Sequence, residues 1–266
     1  PRGALEYYEQ CLEAKRTMSP DPLEDVSLDD LGHKVHWLRA LRLMMQEEDA
    51  SKAEYRGAIR MLTEFRKKWP ESPHRSEALF FRALAREYDM DYQDIDGALA
   101  DYRLFLQEAP ESPLVPEVML RIGHCHEFNL DAPDYGAALE AYEELIKRFG
   151  PSNETLRKAP TLTRMAVERG LYYKARILED RMAPRAEGTD AGHVYADAAE
   201  CYRRLTDPMF FGEMRFKQSQ FVHFRLGCIL AERLGRVDEG LEVLEAMAQR
   251  WRESPWYGRV KAKIEA

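Results

Sequence analysis

Cysteine is scarce in this sequence and carries no chemical spacing. Cys11, Cys125, Cys201 and Cys228 form neither the CxxC pair of redox and zinc sites nor the CxxCH of haem attachment. They read as small buried hydrophobes, and in an oxidising compartment Cys201 and Cys228 are the pair to test. Long hydrophobic runs are missing as well. A membrane-spanning helix needs roughly eighteen or more apolar residues, whereas Phe80-Phe81 is soon interrupted by Arg82 and Arg86. None of GxSxG, GxxxxGKS/T, GxGxxG or HExxH occurs, and the carboxylates are spread along solvated helix faces, so neither catalytic residues nor a cofactor is expected. Excess positive charge is absent too. A formal charge of -8 and a pI near 5.5 repel phosphate backbones, which argues against nucleic acid as a partner.

What is present is globular composition, 45% hydrophobic and 32% charged, in a chain long enough to bury about three quarters of its unfolded surface. It also repeats itself. "WPESPHRSEA" at Trp69–Ala78 returns forty residues later as "APESPLVPEV" at Ala109–Val118. At the same shift Ala58, Ala98 and Ala138 align, as do Leu62, Tyr102 and Tyr142, and Phe65, Phe105 and Leu145. A fixed period of this length is the mark of a repeat architecture.

Each unit has helical spacing. Ala98, Leu99, Tyr102, Phe105 and Leu106 fall on one apolar face. The proline after this run cannot continue a helix, and the serine two residues on favours a cap for the next. A second apolar run precedes each such helix, at Trp37–Met45, Ala78–Tyr88 and Val118–Phe128. The unit is helix, turn, helix, stable only when stacked on neighbours. The pattern predicts an N-terminal helix over Gly3–Arg16 with a Pro- and Asp-rich connection from Ser19 to Asp30, together forming 1–32. Three repeats follow over 33–153. Degenerate helices occupy 154–215, with loops at Ala183–Gly192 and Asp207–Met214. A last repeat and a capping helix fill 216–266. In the degenerate part Ala198, Tyr202 and Leu205 resemble Ala98, Tyr102 and Phe105.

Ile122-Gly123 and Leu226-Gly227, with Ala98, Tyr102 and Pro110, resemble the tetratricopeptide repeat family. The unit here is longer than that family's usual thirty-four residues, Ala83 and Leu43 replace the first-helix glycine, and Gly240 replaces an alanine. The long unit, with its acidic aromatic turn in "DAPDYGAALEAYEELIKRFGPS", is similar to repeats of bacterial envelope proteins that assist outer-membrane assembly or coordinate cell division. The resemblance implies an all-α fold: a right-handed α-α superhelix, a TPR-like solenoid of five or six hairpins. Its concave face, lined mainly by first helices, would hold another protein or an extended peptide. It implies a non-catalytic scaffold, a subunit or assembly factor of a bacterial envelope-associated complex. Such a protein would be periplasmic or peripherally bound to the envelope, with the cytoplasm as the alternative.

The groove residues this points to are Phe80, Glu87, Tyr88, Arg121, His124, Phe128 and Arg225; most of these positions serve groove or core equally well. Tyr102 and Tyr142 read as core. His124-Cys125-His126 invites a rival reading as a metal or redox site, but consecutive helical residues sit about 100° apart and cannot converge on one ion. Local basic clusters at Arg66-Lys67-Lys68 and Lys261–Lys263 motivate a third reading, a helical-repeat nucleic-acid binder.

Overall fold

The computed structural model describes residues 2–17, 28–44, 52–89, 93–128, 131–208, 216–253 and 256–264. Among them every regular element is helical: α1 (Arg2–Thr17), α2 (Leu28–Met44), α3 (Lys52–Lys68), α4 (Glu77–Tyr88), α5 (Ile95–Glu108), α6 (Val115–Glu127), α7 (Tyr135–Phe149), α8 (Asn153–Lys158), α9 (Thr161–Ile177), α10 (Thr189–Leu205), α11 (Phe216–Cys228), α12 (Val237–Arg250) and α13 (Tyr257–Ile264). The chain divides into two compact units, Pro1–Val118 and Met119–Ala266.

In the first unit each helix from α1 to α5 packs on its neighbour in sequence. The repeated positions form the core. Ala58, Leu62 and Phe65 of α3 and Ala98, Tyr102 and Phe105 of α5 are fully buried, the larger of these side chains contributing about 1.5–3 kcal/mol each. Trp37 of α2 joins Phe65 and Trp69 in an aromatic cluster. Asp101 is buried at 4% exposure, yet it is satisfied: Arg82 grips both its oxygens at 2.8 and 2.5 Å, and Arg86 adds a bond of 2.7 Å.

The turns repeat as faithfully as the core. The Asp94 carboxylate accepts from Gly97 N, and Asp134, forty residues on, accepts from Ala137 N; each caps the helix that follows. The serines of the two PESP stretches act differently from the expected helix cap. Ser72 Oγ accepts from His74 N and Ser112 Oγ from Leu114 N, so each closes the turn itself, and the helices begin at Glu77 and Val115. Ser152 alone of the aligned serines caps a helix, α8, by accepting from Thr155 N.

In the second unit α9 packs on α7 and α10, α11 on α10 and α12, and α13 on α12. Ala138, Tyr142 and Leu145 are fully buried, and so are Ala198, Tyr202 and Leu205. The degenerate stretch is therefore a well-packed hairpin, α9 with α10. Its expected loop at Ala183–Gly192 is shorter than the composition implies, because a 3-10 turn takes Ala183–Arg185 and α10 begins at Thr189. Helix α8 has no counterpart in the sequence pattern. Two glycines mark a close helix crossing. A Cβ on Gly240 would lie 2.7 Å from the Gly227 carbonyl oxygen, which accounts for glycine at this position. Helices α9 and α11 both end in a π-helical turn, Leu178–Met182 and Ile229–Arg233. Val260 of α13 is buried with Leu244, Met247 and Trp251. Of the expected connection Ser19–Asp30, residues 19–27 lie outside the described residues and Leu28–Asp30 already belong to α2; the loop beyond Pro208 lies outside them as well.

Candidate partner-binding site

Three buried tyrosines lock the hairpins and set the register of everything around them. In the first unit Tyr102 donates its hydroxyl to Glu87 Oε2 at 2.9 Å. In the second, Tyr142 donates to Glu127 at 2.8 Å and Tyr202 to Glu179 at 3.0 Å. Each bond ties a second helix to the first helix before it. Burial raises the Glu127 and Glu179 carboxyls above the ordinary carboxylate range, against the lowering effect of the tyrosine bonds, and it raises the hydroxyls of Tyr142 and Tyr202. Aligning the two bonds of the second unit shifts Glu127 onto Glu179 by 52 positions. The same shift takes Arg121 to Tyr173, and Tyr173 to Arg225. One position on three successive first helices is therefore Arg, Tyr, Arg.

The expected groove residues separate accordingly. In the first unit Phe80 is 7% exposed and packs against Phe81, Tyr102 and Phe105. It belongs to the core, because it occupies the same place as fully buried Leu120 forty residues later. Glu87 is the acceptor for Tyr102, and Tyr88 is 43% exposed.

In the second unit the remaining residues meet. His124 of α6 and Phe128, just past the end of that helix, touch edge to face with ring centroids 5.6 Å apart, and both touch Tyr173 of α9, at 4.6 and 5.8 Å. Tyr173 contacts Tyr172, Tyr172 contacts Phe221 of α11, and Phe221 contacts Trp256, in steps of 5.4, 6.3 and 5.7 Å. The result is a continuous aromatic strip across three first helices and the start of α13. Phe128 is its most open member at 47% exposure. Arginines sit on the ring faces: Arg176 over Tyr172 at 5.8 Å, Arg225 over Phe221 at 5.5 Å, Arg259 over Trp256 at 5.0 Å. Tyr172, Tyr173, Phe221 and Trp256 are not in the set read from sequence; the shift of 52 would have found Tyr173.

Arg225 does more than border the strip. Its Nε donates to Glu179 at 2.7 Å and its Nη2 to Asp180 at 2.5 Å, on the wall of a cavity of about 420 Å³ that Tyr195, Glu232 and Lys263 also line. Both π-helical turns contribute to that wall, and such turns gather at functional sites.

His124 is held neutral. Burial, with Arg121 and Arg169 adding positive potential, pushes its imidazole down to about 3. Its Nε2 is buried and meets no hydrogen-bond partner among the described residues. Cys125 next to it faces the core at 1% exposure. Among the described residues no group of three His, Cys, Asp or Glu side chains is placed to hold a metal ion, and no helix is long and apolar enough to cross a membrane. Set against models of known protein families and against curated proteins, the chain matches none.

Proposed function

We propose that this chain is a non-catalytic scaffold of the tetratricopeptide-like kind, a superhelical solenoid that binds another protein along the first-helix wall of its second unit. The observation that carries this reading is the strip of Phe128, Tyr173, Tyr172, Phe221 and Trp256 with arginines on its ring faces. Aromatic and arginine side chains are the residues that dominate binding energy at protein interfaces. The regular spacing of buried alanines and tyrosines, and the repeated aspartate caps, support the repeat architecture. By its acidic aromatic turns the scaffold would serve as a subunit or assembly factor of a bacterial envelope-associated complex.

The test uses the whole chain as immobilised bait in extract of its own cells, beside a Phe128→Ala/Tyr172→Ala double variant with an unchanged helical circular dichroism spectrum. Proteins identified by mass spectrometry should be retained by the first and lost from the second. Equal retention on both baits, or turnover of a substrate by the purified chain alone, would overturn the proposal.

A further inference from the structure

Another cavity of the second unit has none of the strip's rings in its lining. It has a volume of about 320 Å³ and lies where α7 and α10 both pack on α9. Its floor is apolar: Ile146 of α7, Leu171 of α9, Leu178 of the π-helical turn and Cys201 of α10 are all buried. Burial pushes the Cys201 thiol up to about 11, so it stays protonated and behaves as one more apolar group.

Charges of both signs surround that floor, and several are already matched. Arg204 donates to the Gly150 carbonyl and to Asn153, and Glu200 accepts from Arg203. Two are not matched in this way. Lys174, its side chain 20% exposed, has no hydrogen-bond acceptor among the described residues, and its ion pair there is with Glu143 at 3.6 Å. Glu143 is 66% exposed, and an exposed pair of that length contributes little. Asp197 has neither an ion pair nor a hydrogen bond among the described residues. Both bear electrostatically on the Cys201 thiol, so both stand close to the floor, yet no ion pair joins them to each other. In the cavity at Arg225, by contrast, Arg225 holds Glu179 and Asp180, and Lys263 holds Glu232.

An ammonium lacking an acceptor and a carboxylate lacking a donor, set over an apolar floor, match a molecule that carries the two opposite charges and one apolar tail. The volume is the liquid share of about ten waters at ~30 Å³ each, room for an amino acid the size of leucine or phenylalanine. We infer that this cavity binds a free α-amino acid with an apolar side chain, its carboxylate on Lys174, its ammonium on Asp197 and its side chain on Ile146, Leu171 and Leu178. A residue within a polypeptide lacks both charges and a chain terminus has one, so the ligand is a small molecule. The site is separate from the aromatic strip, and neither reading depends on the other.

The test is isothermal titration calorimetry of the full chain with leucine, phenylalanine, glycine, leucinamide and N-acetylleucine. Leucine or phenylalanine should bind with a Kd on the order of 0.1 mM, within what a ligand of this size can supply. Leucinamide lacks the carboxylate, N-acetylleucine the ammonium and glycine the side chain, and each should bind about tenfold more weakly or worse. Lys174→Met keeps the aliphatic stem and should abolish the preference for leucine over leucinamide. Asp197→Asn, at an exposed position, should abolish the preference for leucine over N-acetylleucine. A mere loosening of the fold would erase neither preference selectively, and circular dichroism checks that both variants stay folded. No binding of leucine or phenylalanine at millimolar concentration overturns the inference. So do equal affinities for leucine and either blocked analogue, or preferences that survive both substitutions.

Discussion

Replacing His124 by phenylalanine should make the protein more tolerant of acid. In the folded state the imidazole is pushed down to about 3 by burial, with Arg121 on its own helix and Arg169 on α9 adding to the effect. The aromatic groups packed on it, Tyr142 from α7 and Tyr173 from α9, are neutral in this range and offer no counter-charge. A histidine in the unfolded chain takes up its proton near pH 6.5. The unfolded state thus binds the extra proton first, and the stability this group supports is present above pH 6.5 and lost as pH falls toward 3. At pH 5 the loss is about 2 kcal/mol, from about 1.36 kcal/mol for each pH unit below 6.5. That is a large share of a domain's usual 5–15 kcal/mol. Phenylalanine fills the ring's place and removes a buried nitrogen that has no hydrogen-bond partner among the described residues, so at pH 7.5 the variant should equal the parent or exceed it by about 1 kcal/mol. Urea unfolding at pH 7.5 and pH 5.0 reads the difference as a midpoint shift of about 1 M. His223, also lowered by burial, and the raised carboxyls Glu127 and Glu179 are present in both proteins and largely cancel in the comparison. Parallel loss of stability in parent and variant would refute the reasoning.

Three further outcomes follow from the packing. Tyr142→Phe strands the buried Glu127 carboxylate and should cost about 1–3 kcal/mol, with Glu127→Leu added to it recovering part; chemical denaturation of the single and double variants checks both. Gly123→Ala would put a methyl 2.3 Å from Tyr142 Cε1, so thermal melting should show about 1–3 kcal/mol of overpacking, relieved by Tyr142→Leu. Asp101→Ala leaves Arg82 and Arg86 facing a buried vacancy and should cost about 3–5 kcal/mol, measurable by urea unfolding.

The core was legible because it repeats. Ala58, Ala98 and Ala138 recur at a fixed shift, since each must let two helices approach, and all three are fully buried. The first-helix surface was harder to read. Its positions are not tied to one residue type: Arg121, Tyr173 and Arg225 share one position, and there Tyr173 stacks on Tyr142 of α7. Phe80 misleads for a related reason. It stands beside Phe81, and periodicity alone does not tell which of two adjacent aromatics turns inward; packing against Tyr102 and Phe105 decides it. The length of the hairpin α9–α10 also hid the register, since the π-helical turn and the 3-10 turn after α9 lengthen the path between the helices. Only the Tyr202–Glu179 bond restores the count.

That bond also bears on the proposed binding strip. A buried carboxylate is a poor source of net stability compared with an apolar side chain, because desolvation offsets much of what its hydrogen bond contributes. Its use here is positional. Glu127 ends α6 next to Phe128, Glu179 lies in the π-helical turn that follows Tyr172 and Tyr173 on α9, and each is held by a tyrosine that is itself fully buried. Rotation of either helix by one residue would break the bond, leaving Glu127 bare and Glu179 with Arg225 alone, so the rings beside them are confined to one orientation. Their contacts with one another confine them further. A partner that meets side chains already ordered gives up little of its binding energy to ordering them, and a surface of half-buried rings and stacked arginines then contributes nearly its full contact energy.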